Sequence, residues 1–405
     1  MLGFDSLAAT RPWRPLAAAF AAMALAVGCG GGDGDSVGTG GTGAPLSFAS
    51  GRITGFGSVI VNGVRFDDTT AAVTDDDGAA HTKGDLKLGM TVDVEGGAIG
   101  TDNSTGASTA TASSIQFGSE IKGPVESVNV AGNTLVVLGQ TIVADAATVF
   151  DGLAGVAAVQ AGDLIEVFAF FDASSATYKA SRIELEPTLT EFKLRGVIAN
   201  LDTTAKTFTI GAATIGFGNI AASDLPALSN GMVVRVKLQT TQQAGVWIAT
   251  QVKSGVHAVP DHARSEVEGI VTDYVSLASF KVNGVAVDAS GASVVFENGT
   301  GLAINNGVRV EVEGTTANGV LVASKVEIKQ ADGEDVEIEL HGAIDAADAA
   351  AQTFSLRGQT VHYDSSTRID DGTLAGLVVG AQVEVRGTLS ATGNEVIATR
   401  IKFEH

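Results

Sequence analysis

His257 and His262 lie five residues apart, with Asp261 beside the second. That is the closest this sequence comes to a metal-ligand spacing. A metal needs three or four convergent ligands, so two histidines in a loop read as solvated side chains. A run of acids, Asp67, Asp68, Asp75, Asp76, Asp77 and Asp85, offers carboxylate oxygens to calcium. Its spacing does not match an EF-hand, so it reads as an exposed acidic loop. No serine sits in a Gly-x-Ser-x-Gly elbow. The expectation is a protein with no catalytic residues, no metal and no cofactor.

The sharpest irregularity is charge. Residues 191–255 carry three acids and six bases, a net of +3. By the same count residues 51–118, 119–190, 265–331 and 332–405 come to -5, -6, -4 and -8. Alternation places Val234, Val236 and Leu238 inward, so Arg235 and Lys237 should face out. Ile248, Thr250 and Val252 read as inward on the following strand, which sends Trp247 outward beside Lys237. Lys193 and Arg195 add two more cations. A tryptophan with cations on one face suits a sugar or an anionic group. The competing expectation is that these side chains pack against neighbouring modules, as outward Phe168, Phe170 and Tyr178 would.

Whole-chain charge is -21, which repels phosphates and argues against a nucleic-acid partner. The single cysteine, Cys29, excludes an internal disulfide. It ends an apolar run, residues 15–27, that follows Arg11 and Arg14. Thirteen apolar residues are too few to span a bilayer but suit a signal peptide. Leu25-Ala26-Val27-Gly28-Cys29 resembles the lipobox of bacterial lipoproteins, although alanine at 26 departs from the family's larger residue. The resemblance implies that residues 1–28 are removed and Cys29 is lipidated, anchoring the chain to a membrane. Gly30 after it implies the outer membrane of a Gram-negative bacterium. Residues 29–50 then read as a glycine-rich flexible tether. The mature chain would hold 23 bases and 45 acids, a net of -22.

Five repeats must position these groups. A strand ending in glycine recurs at Gly55, Gly123, Gly196, Gly269 and Gly342, spaced 68, 73, 73 and 73 apart. A glycine opening an alternating strand recurs at Gly89, Gly162, Gly231, Gly307 and Gly380. A closing strand begins Ala112-Ser113, Ala180-Ser181, Ala249-Thr250, Ala323-Ser324 and Ala398-Thr399. Asn62-Gly63 and Asn283-Gly284 between apolar residues mark hairpins. Each module thus reads as one strand, a hairpin, a variable stretch and two more strands. Parts of the variable stretch, residues 151–160 and 222–230, are compatible with a helix.

That order predicts an all-β chain of five small five-stranded OB-like barrels, with small β-sandwiches as the alternative. The modules are 51–118, 119–190, 191–255, 265–331 and 332–405, with 256–264 as linker and expected hinge. Each module buries its own inward face, so separate beads on a string are expected. The opening Ile53-TGFGSVIVNG-Val64 and the repeats resemble an uncharacterised family of repeated bacterial lipoprotein domains, over residues 51–405. The resemblance implies fold and export, and no activity. Five similar small barrels offer no large cleft for a paired-carboxylate glycosidase. The expectation is therefore a non-catalytic envelope lipoprotein that binds a partner protein or glycan. A structural spacer is the alternative, and a glycan-acting enzyme a distant third.

Overall fold

Glycine recurs in the first strand of every module because that strand must bend where it changes partners. In the computed structural model, which describes residues 46–103, 105–256, 259–330 and 336–404, the first strand of module one is Ser47–Phe56. Its residues Ser47–Arg52 pair antiparallel with Thr91–Gly96. From Ile53 it turns to Val59–Val61 instead. At the same bend in module four, a Cβ on Gly269 would press into Asn283 of the hairpin.

The hairpin joins Val59–Val61 to Val64–Asp67, whose strand runs parallel to Ser108–Phe117. That last strand returns antiparallel to Thr91–Gly96 and closes the ring. The strand order is therefore 1-2-3-5-4 and back to 1, the OB-fold order. Modules two to five close in the same way, with parallel third and fifth strands at Ile142–Tyr178, Ile215–Trp247, Val287–Leu321 and Val361–Val396. The hairpin glycines Gly63, Gly139, Gly211, Gly284 and Gly358 all hold positive φ, as their turns require.

The variable stretches are not α-helical. Among the described residues the helices are six 3-10 turns, of which Val156–Ala158 and Ala222–Asp224 occupy the helix-compatible segments. None of the described helices is long and apolar enough to cross a membrane.

The Ala-Ser/Thr pairs have a physical reason that alternation does not show. In every module the register between the fourth and fifth strands slips by one residue at this place. The extra residue is Ser113, Ser181, Thr250, Ser324 or Thr399, a β-bulge that re-aims the strand. The preceding alanine, only 1% exposed at Ala112 and Ala249, turns into the core. Ser113, Ser324 and Thr399 donate hydroxyl hydrogen bonds to the carbonyls of Glu95, Glu313 and Arg386 at 3.0, 3.1 and 3.0 Å.

The modules are not beads. Ser47–Ser50 pairs parallel with Arg264–Val267 of module four, and Gly55–Phe56 pairs parallel with Glu339–Leu340 of module five. Modules two and three join antiparallel at Lys122–Lys193 and Ile121–Leu194. Gln140 Nε2 crosses that joint to the carbonyl of Ile210 at 2.7 Å. One apolar core runs through modules one and five, another through two and three. Two boundaries move as a result. The stretch expected as tether already contributes strand from Ser47, and the expected hinge becomes strand at His262, which pairs with Thr316.

Candidate functional site

Arg235 and Lys237 do leave the barrel core, as Val234, Val236 and Leu238 fill it. Arg235 is nonetheless buried and Lys237 half-buried. The acidic turn Asp75–Asp77 of module one lies across them. Arg235 Nη1 meets Asp76 Oδ2 and its Nη2 meets Asp77 Oδ1, both at 2.7 Å. Lys193 Nζ bonds Asp76 Oδ2 at 2.5 Å, and Lys237 bridges Asp77 and Glu191, each at 2.9 Å. Arg195 pairs with Glu120 at 2.7 Å. Burial would raise the carboxyl of Asp77, but Lys237 and Arg235 outweigh it and hold its pKa down at about 2. The candidate calcium loop and the candidate anion face thus neutralise one another.

Trp247 corrects the sequence reading outright. It is 8% exposed, in the core, with its ring edge-on to Phe192 at 5.6 Å. The bulge at Thr250 reversed the alternation, so Trp247 and Ala249 turn inward and Thr250 outward. Trp247 therefore does not join Arg235 and Lys237 on one face. Phe168 and Phe170 of module two do leave their strand as expected, but into joints. The bulge at Ser181, like that at Thr250, turns Tyr178 inward with Ala180, into the core of modules two and three. Phe168 sits in the core shared by modules one and five, and Tyr178 donates to the carbonyl of Arg195 at 2.7 Å. His262 is buried and stacks on Phe48 at 6.0 Å. Cys29 and His257 lie outside the described residues.

The residues that sequence reasoning missed line a cleft of about 390 Å³ where modules one, four and five meet. Its floor is a buried triad. Glu268 Oε1 accepts from Arg309 Nη2 at 2.5 Å and pairs with Arg52 Nε at 3.3 Å. Burial alone would raise Glu268, but the charges of Arg52 and Arg309 hold it at about 2. Arg52 also reaches the Ala147 carbonyl and lies 5.6 Å above the Phe170 ring of module two.

On the far wall Glu339 takes Arg65 at 2.5 Å, His341 at 2.7 Å and Arg386 at 3.3 Å. Burial opposes its ionisation, yet these partners hold its pKa at about 2. Glu339, His341 and Glu384 come close enough to share a cation. The guanidinium groups of Arg65 and Arg386 already hold the Glu339 carboxylate, so the cluster is satisfied as an ion-pair network. Burial pushes Glu311, 3.0 Å from Lys329, up to about 7.

A signal for these residues was present. The residue before the marker glycine is ionisable in modules two to five: Lys122, Arg195, Glu268 and His341. Each one is bonded to an opposite charge or carboxylate at or beside a joint.

Glu266, paired across the joint with Ala49, gives a testable consequence. It is 1% exposed, and its Oε2 has no hydrogen-bond partner among the described residues. Burial raises its pKa from 4.5 to about 8, Arg264 notwithstanding. A raised carboxyl stabilises nothing by ionising, so its cost enters as pH climbs from 4.5 to about 8 and persists above. Glu266→Gln should gain about 1–3 kcal/mol above that window and little below it. Chemical denaturation at several pH values would show it, and a pH-independent difference would refute it.

The family model described as "Domain of unknown function (DUF5666)" matches residues 122–184, 195–253, 268–327 and 341–402. Those stretches fall in modules two to five. No curated protein matches the chain. Among solved structures, it is similar to one named "drosophila Unr CSD456", at 13% identity and a TM-score of 0.13, covering 52% of this chain and 96% of that one. A likeness so distant carries no argument.

Proposed function

The chain belongs to the DUF5666 family of repeated domains of unknown function, and from that premise we propose a non-catalytic, lipid-anchored envelope protein that binds a partner protein or glycan. Export, lipidation at Cys29 and outer-membrane attachment rest on the lipobox-like N-terminus. The observation that carries the binding reading is the cleft between modules one, four and five. Its volume is in the range of small-ligand sites. Its walls are guanidinium and carboxylate groups in fixed pairs, which suit a polar ligand such as a saccharide. Each Arg–Glu pair still presents donors and acceptors, but no carboxylate among the pairs is left alone as a base.

The fused strands favour a second reading, a rigid spacer between envelope layers. One experiment separates the two. The full chain carrying Cys29→Ser is titrated with envelope glycan fragments while its melting is followed. A ligand at about one hundred times its dissociation constant should add nearly 3 kcal/mol. Arg65→Gln with Arg386→Gln should remove that gain. Silence towards every fragment, together with no partner crosslinked to the anchored protein in cells, favours the spacer. An unmodified Cys29 in the mature protein overturns the anchor.

A further inference from the structure

The acidic turn of module one, lying over the basic face of module three, occupies the position that a bound anion would take. We propose that this basic face is a binding site for a multiply charged phosphate group, kept closed by the chain's own Asp76 and Asp77.

Two independent observations point there. The first is charge. Lys193, Arg195, Arg235, Lys237 and Lys253 converge on one face, and Asp76 and Asp77 answer four of them. With the turn withdrawn, those five cations keep Glu120 and Glu191 as ion-pair partners, with Asp93 and Glu166 also lining the flanking cavities, so the face loses two of its carboxylates and stays basic. Arg235 already grips two neighbouring carboxylates with its fork, a geometry that also fits adjacent phosphate oxygens.

The second is access. Cavities of about 310 and 350 Å³ flank the turn. The first reaches Lys193 and Lys237, the second Arg195, Arg235 and Lys253. A ligand can therefore meet the face from either side of the turn. The turn is braced from within, because Asp75 Oδ1 accepts from the amides of Asp77 and Ala79 at 2.9 and 2.8 Å, and it is anchored to module one, where Asp75 pairs with Phe117. Opening the face therefore moves the turn together with module one, as a folded piece.

Competition decides the ligand class. A tethered turn acts at an effective concentration on the order of millimolar, so a single weak charge does not displace it. Lys193 and Arg235 are 6% and 7% exposed, and leaving them unpaired is costly. The displacing group must replace both carboxylates at once, as a diphosphate or polyphosphate does. The apparent affinity of the closed protein is lowered by the fraction that is open.

Inorganic tripolyphosphate is titrated into the full chain carrying Cys29→Ser, at low salt, by calorimetry. Weak binding that falls as salt rises is expected. Asp76→Asn with Asp77→Asn should tighten it at least tenfold. Lys237→Gln with Lys253→Gln, on the more exposed half of the face, should weaken it at least tenfold in the unaltered turn background. That pair keeps the test decisive even where the aspartate variant does not fold.

Phosphatidylcholine vesicles with and without diacylglycerol pyrophosphate, whose headgroup is a diphosphate, form the second arm. Binding to the doped vesicles places the phosphate on a lipid headgroup, and binding to tripolyphosphate alone places it in solution; either sustains the site. Silence in both arms overturns the proposal, as does an aspartate variant that folds and binds no tighter or a lysine variant that binds as well as the parent. This site is separate from the cleft of modules one, four and five, so failure of one reading leaves the other standing.

Discussion

Glu268→Ala should cost about 3–5 kcal/mol, because it strands two buried guanidinium groups at the joint of modules one and four. Arg52 and Arg309 are 4% and 6% exposed, and both meet the same carboxylate oxygen. The loss should appear as faster hydrogen exchange at Ala49 and Val267, whose strands pair there. Glu268→Gln keeps the shape without the charge and should fall between. Acid should mimic the variant. A depressed carboxyl contributes stability that is complete above 4.5 and is lost as pH falls from 4.5 to about 2. The alanine variant should lack that dependence. A cost under about 1 kcal/mol would mean that water reaches the triad and screens it.

The triad also shows where the sequence stops being legible. Period-2 alternation sorts Val308, Val310 and Val312 from Arg309, Glu311 and Glu313, and the first set does face the core or its edge. Alternation says which side chains leave a barrel. It does not say what they meet. Arg309 and Glu311 leave module four and are each 6% exposed, because another module lies over them. A polar outward face looks the same whether water or a complementary charged face covers it.

The barrels themselves were legible because their constraints are local. A hairpin glycine, a bend glycine and a positive-φ glycine before the fourth strand recur in the same order in every module, and each answers to its own turn. The Ala-Ser/Thr motif was equally visible, yet its meaning lay in a register slip between two strands. Missing it turned Trp247 the wrong way. The basic stretch 191–255 and the acidic run 67–85 were both visible as separate sites. Their complementarity was not, since nothing local brings residue 76 to residue 235.

The most demanding test of the fused architecture is Gly55→Val. Here the first strand of module one runs against module five, and a Cβ would fall inside the Glu339 carbonyl and 2.8 Å from Ile60 Cδ1. The carbonyl is backbone, so it cannot swing aside as a long side chain would. Either the parallel pairing of Gly55–Phe56 with Glu339–Leu340 separates, or the barrel of module one distorts. Overpacking of this kind costs about 3 kcal/mol. If the joint yields, Arg65 moves away from Glu339, which is 2.5 Å distant, and the cleft widens on that side. Exchange at Leu340 should then quicken while Val92 and Val94, inside the barrel, stay protected. If the barrel yields instead, Val92 and Val94 exchange first. Gly100→Val is the control, because no atom of the described residues lies within 4 Å of its Cβ and it should cost almost nothing. Equal behaviour of the two variants would show that modules one and five do not share this strand.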